Sequence, residues 1–159
     1  AARWASRKLA GLKIREGDLS AARGILIRSG EPDAAVMAAV EKYAAGKDKS
    51  PRLGGLLGLI PGLGYAYSGE WANAARSLIL NGLFIYGMAD TAGDEEWGAF
   101  SIITFFELTW YSGSIYGGVD SAHRFNESRL DECLDAVSGS MDMSVDLDTL
   151  PLISLRFEF

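Results

Sequence analysis

The chain has 159 residues, 48% of them hydrophobic, and a formal net charge of −6, enough for one compact domain or for a small domain joined to an apolar hairpin. The acidic balance argues against a nucleic-acid partner, which needs a dense Lys/Arg face to displace counterions. A single cysteine (Cys133) excludes an internal disulfide, and one cysteine with one histidine (His123) makes no zinc site unless several carboxylates converge.

Residues 1–46 are predicted to form short amphipathic helices. Trp4, Leu9, Leu12 and Ile14 make a first apolar stripe, and Glu16–Asp18 punctuates it. Leu19, Ala22, Ile25 and Leu26 make a second stripe, with Gly30 as its stop and Asp33 as the next N-cap. Val36, Ala39, Val40 and Tyr43 share a face of a third helix that ends at Gly46. Leu9, Ala10, Gly17, Ala22 and Leu26 resemble the pattern of a degenerate tetratricopeptide repeat, although Ser6 and Lys13 stand where that family places aromatics. A generic helical hairpin is the alternative. The resemblance implies that residues 1–46 close a longer array lying upstream, because one repeat cannot bury its own apolar face.

Charge then changes sign along the chain: residues 1–52 carry 11 Lys/Arg against 6 Asp/Glu, and residues 53–159 carry 4 against 15. Lys47–Arg52 is a basic linker in which Ser50 and Pro51 mark a helix start. LGGLLGLI (53–60) is apolar but too short to cross a bilayer, and two long apolar runs follow it, residues 71–89 and 97–118. Each run has about the length a spanning helix needs. Trp71, Trp97, Trp110, Tyr111 and Tyr116 stand near the run ends, where interface anchors belong. The acidic connection from Asp90 makes the two runs antiparallel neighbours, and the flanking Lys and Arg place both outer ends on the cytoplasmic side. Between linker and first run, Pro61, Gly62, Gly64, Tyr67 and Gly69 interrupt the apolar segment and define a re-entrant elbow over 53–70.

Ser50-Pro51, Pro61-Gly62-Leu63-Gly64, Tyr67, Gly69, Asn81-Gly82, Glu107, Trp110-Tyr111, Tyr116-Gly117 and Asn126 together resemble a bacterial cell-envelope module that follows tetratricopeptide-type repeats. The likeness covers about residues 50–127. It departs from the usual pattern at Gly64-Tyr65, where Gly-Gln is common, and at Gly113-Ser114, where Gly-Asn is common. The resemblance implies a membrane-attached envelope protein and no reaction.

Arg76 and Asn81 fall inside the first apolar run and Glu107 inside the second. With the turn centred near residue 93, Asn81 faces about residue 105 and Arg76 lies near Trp110. One reading is a cross-helix lock that fixes register; the other is a proton or ion relay through Glu107, which normally needs more ionisable groups at other depths. Asp120 and His123 share a helix face without a nucleophile beside them. The glycines at 62 and 64 complete neither a dinucleotide loop nor a phosphate loop.

After an amphipathic stretch over Glu127–Val137, the segment PLISLRFEF alternates, with Ile153, Leu155, Phe157 and Phe159 on one face. It reads as a strand that docks on a partner's sheet edge, or that pairs in a hairpin with residues 141–147. The sequence thus predicts an all-α, membrane-associated fold with three parts: a repeat-like end (1–46), a membrane module (50–127) and a tail (128–159) ending in a short β-strand. It predicts a non-enzymatic, membrane-anchored scaffold or accessory subunit, without metal or cofactor. Expected partners are other envelope subunits and the lipid bilayer. The expected location is the cell envelope, in the inner membrane or associated with the outer one. A small transport or channel component using Glu107 is the alternative.

Overall fold

Every regular element in the computed structural model, which describes residues 2–30 and 33–139, is helical. The helices are α1 (Ala2–Arg15), α2 (Leu19–Arg28), α3 (Ala34–Ala45), α4 (Pro51–Leu57), α5 (Leu63–Tyr67), α6 (Trp71–Gly93) and α7 (Trp97–Ser138). They form two compact units, one from the first 42 residues with the end of α7 from Glu132, the other from residues 43–131.

Local chemistry sets the helix ends of the first unit. Gly17 takes φ +81° after α1, and the Asp18 carboxylate then accepts a hydrogen bond from the Ala21 amide at 2.9 Å, capping α2. The Asp33 carboxylate accepts from the Ala35 amide at 3.0 Å at the start of α3. The interior is aliphatic: Ile14, Leu26, Val36 and Val40 are buried with Leu134 and Val137 of α7. Removing side chains of this size from water stabilises a fold by roughly 1.5–3 kcal/mol each. The surface pair Lys42–Glu132, 2.5 Å apart with both side chains mostly exposed, adds little.

The second unit is packed by small residues. Ser50 caps α4 by accepting from the Leu53 amide at 3.4 Å, and Pro51 occupies the first helical position. After α4 the chain reverses at Gly62, which takes φ +85° and has its Cα directly against the Ala74 carbonyl. No residue with a Cβ fits there. α4 and α5 then lie on α7 at Gly118: a Cβ on Gly54 would overlap the Gly118 carbonyl, and one on Gly64 would come within 2.7 Å of the Gly118 Cα. α6 and α7 run antiparallel, with the Ser77 and Ser114 hydroxyls 2.8 Å apart and the Thr104 hydroxyl donating to the Met88 sulfur at 3.3 Å.

Several sequence expectations are corrected here. No helix among the described residues is long and apolar enough to cross a membrane. Length is not the shortfall, since α6 has 23 residues and α7 has 42. Asn73, Arg76, Ser77 and Asn81 dilute α6, and Thr104, Glu107, Thr109, Ser112 and Ser114 dilute α7. The transmembrane hairpin, the re-entrant reading of the elbow and the integral-membrane location in the cell envelope are therefore withdrawn. Past the second apolar run α7 continues unbroken to Ser138, and Gly117 and Gly118 within it serve close packing. The described residues contain no strand, and the docking strand with Ile153, Leu155, Phe157 and Phe159 lies outside them.

Candidate functional site

The second unit ties its elbow to α7 through a set of specific bonds. The Asn126 side chain accepts from the Lys49 amide at 2.7 Å and donates to the Lys49 carbonyl at 2.9 Å, so one amide satisfies both backbone groups of the linker residue. The Lys49 ammonium lies 4.7 Å from the Tyr67 ring centroid and 5.2 Å from that of Phe125, within cation–π range of both. The Ser50 amide donates to the Tyr67 hydroxyl at 3.0 Å, and the Tyr111 hydroxyl donates to the Leu59 carbonyl at 2.7 Å. Buried Ser121 bonds to the Ser68 hydroxyl at 3.1 Å and donates to the Gly118 carbonyl at 3.0 Å. The elbow residues Pro61, Gly62, Gly64, Tyr67 and Gly69 therefore sit where a tight connection is clamped to a long helix. Gly69 takes φ +86° ahead of α6.

The polar residues of the two long helices divide. Ser77, Asn81, Glu107 and Ser114 are buried, whereas Arg76 is exposed. The midpoints of the pairs Ser77–Ser114 and Met88–Thr104 fall at residues 95–96, so Asn81 lies at about the level of Trp110 and Glu107 at that of Phe84. The sequence had placed the turn centre earlier, because Asp90 and Thr91 read as connection. α6 in fact runs on to Gly93, and the Thr91 hydroxyl is absorbed by donating to the Gly87 carbonyl at 2.8 Å. Asn81 donates to the Ser77 carbonyl at 2.6 Å, while its Oδ1 and the Oε2 of Glu107 have no hydrogen-bond partner among the described residues. Burial pushes the Glu107 carboxyl above its ordinary pKa. No bond joins Glu107 to Asn81 or to Arg76 among the described residues, so the cross-helix contact between Glu107 and either residue is not seen. Arg76 instead donates to the Asn73 Oδ1 at 3.2 Å and pairs with no carboxylate among the described residues.

Arg76 stands at a groove of about 300 Å³ between α5, α6 and α7, lined also by Tyr65, Asn73, Ser77, Trp110, Gly113 and Ser114. Sequence reading missed this groove, although the spacing Ser77–Asn81 and Glu107–Ser114 places one polar row on each helix. Of the expected interface anchors, Tyr111 is bonded to Leu59 and Trp110 lines the groove, while Trp71, Trp97 and Tyr116 are exposed.

The Cys133 thiol is buried in the first unit, and burial followed by the nearby Glu132 charge raises its pKa, which suppresses the reactive thiolate. His123 is exposed, and Asp120 is spent on Arg124. Among the described residues no group of His, Cys, Asp and Glu could hold a metal ion. Comparison with protein-family models, with curated proteins and with solved structures finds no match, so geometry alone carries the functional reading.

Proposed function

We propose that this chain is a non-enzymatic scaffold whose second unit docks, through the outer face of α6 and α7, on the apolar helices of a partner protein. One observation carries this reading: the second unit is apolar on the outside. Among its buried residues only Ala74 and Ala122 are hydrophobic, while Leu78, Ile79, Leu83, Ile102, Phe105 and Leu108 are each at least 60% exposed. Isolated exposed apolar residues are ordinary, but this many on two adjacent helices mark an interaction surface. The hairpin tip is acidic, with Asp94, Glu95 and Glu96, so a partner that runs alongside would present basic side chains at that level. A second copy aligned in the same direction would set these carboxylates against their equals.

The test is site-specific photo-crosslinking from Ile79 and Phe106 in the native host, with Glu127 as a control position on the polar part of α7. Both apolar positions should capture one and the same protein, Glu127 should not, and Leu83→Glu should abolish both adducts. Adducts formed only between copies of this chain, or transfer of the protein to lipid vesicles with no protein adduct, would overturn the proposal.

A further inference from the structure

The groove between α5, α6 and α7 has an unspent positive charge at its rim. Glu70, the carboxylate of the network, is already engaged by another guanidinium: Arg124, which also pairs with Asp120, donates to it from Nε and from a terminal nitrogen, each at 2.9 Å. Glu70 also accepts from the Asn73 side-chain nitrogen at 2.6 Å, which turns the Asn73 oxygen toward Arg76. The relay Arg124–Glu70–Asn73–Arg76 therefore positions a guanidinium at the groove that makes no direct pair with a carboxylate among the described residues. Among the described residues no Asp or Glu lines the cavity. Its floor is open at Gly113, where a Cβ would meet nothing within 4 Å, and Tyr65 and Trp110 supply aromatic surface. At the floor, the hydroxyls of Ser77 and Ser114 carry two hydrogens, and the bond between them uses one.

We propose that this groove binds a small monocarboxylate with an apolar body, its carboxylate on Arg76 and its body against Tyr65 and Trp110 over Gly113. A single planar guanidinium matches one carboxylate bidentately and leaves a dianion half uncompensated, which selects against phosphate monoesters. The volume is at the lower end of the roughly 300–1,000 Å³ usual for ligand sites, so the ligand is small. This site is independent of the apolar face of α6 and α7, and either assignment stands without the other.

The test is an NMR-detected titration of the full chain with 3-phenylpropionate, with decanoate and, as control, with inorganic phosphate. At least one carboxylate should bind saturably with Kd on the order of 1 mM or tighter, as expected for about ten heavy atoms. Arg76→Gln should weaken it at least tenfold, and Arg76→Lys should weaken it less. Gly113→Leu fills the open floor and should abolish binding with the melting temperature retained; Thr109→Phe blocks the same groove from an exposed position should Leu disturb the helix. Failure of both carboxylates to bind, phosphate binding as tightly, or Arg76→Gln and the blocking variants binding like the parent would each overturn the assignment.

Discussion

The two units are built on opposite plans. In the first, the large buried side chains are branched aliphatics, among them Ile14, Leu26, Val36, Val40 and Val137. In the second, the buried positions are glycine, serine and alanine with Asn81 and Glu107, and the large apolar side chains point outward. The first unit is held by area removed from water, the second by backbone proximity and hydrogen bonds. An interior of Gly54, Gly64 and Gly118 buries little side-chain area, so the second unit has less hydrophobic drive of its own and more to gain from a partner that covers α6 and α7.

The contrast breaks most sharply under a change in residue size. Gly54→Val drives a branched side chain into the Gly118 carbonyl, where backbone rather than a flexible side chain must move. The expected cost is about 4 kcal/mol or more, enough to unfold the second unit while the first keeps its helices. Fluorescence of Trp71, Trp97 and Trp110 in a Trp4→Phe background reads the second unit separately. In the first unit the opposite substitution is the damaging one. Ile14→Ala leaves a cavity at a position 1% exposed and should cost about 2–4 kcal/mol in denaturant unfolding. Gly82→Ala, on an open helix face, should instead leave the second unit unharmed or slightly stabilised. If Gly54→Val were as mild as Gly82→Ala, the small-residue packing of the second unit would be refuted.

A smaller effect sharpens the hydrogen-bonding half of the comparison. Asn126→Ala removes both bonds to the Lys49 backbone and should cost about 1–2 kcal/mol, because a part-buried peptide group recovers some hydration. Asn126→Asp keeps the acceptor but not the donor, and should fall between alanine and the parent in urea midpoint.

Much of the fold was legible because its signals are local. Asp18 and Asp33 precede their helices, Ser50-Pro51 opens α4, and the two long apolar runs set α6 and the first half of α7. Three things were not legible. Hydropathy does not tell which way an apolar side chain faces, so exposure of Leu78 or Phe105 to a partner and exposure to lipid read alike in sequence. Register depended on where α6 ends, and a threonine that bonds back to its own helix hid that end. The partners of Asn126 and Tyr67 lie 77 and 17 positions away, beyond any periodic pattern, so Asn126 entered only through a resemblance and Tyr67 only as part of an interrupted apolar segment, while their work is to clamp the elbow. The Arg76 groove was missed for a related reason: Glu70 would be the natural partner of that guanidinium, and only the fold shows that Arg124 has taken it.

The subtlest test concerns the one carboxyl that the second unit buries. Glu107 is 7% exposed, its Oε2 has no partner among the described residues, and burial raises its pKa above the ordinary 4.5. A raised carboxyl pKa means that the folded state holds its proton more tightly than the unfolded state does. Below about pH 4.5 both states are protonated and the residue imposes no ionisation penalty. As pH rises above that value the unfolded chain releases its proton first, and stability falls until the folded carboxyl also ionises. Glu107→Gln removes the titration and keeps the shape. Its stability relative to the parent should therefore be nearly constant in acid, climb as pH rises from about 4.5, and level off above the raised value. Urea midpoints of the two proteins at several pH values isolate this residue, because every other titrating group is common to both. A difference independent of pH, or one that shrinks toward neutrality, would mean that water or an unrecognised donor reaches Glu107. The second unit would then be looser around its polar row than the packing of Gly54 on Gly118 implies.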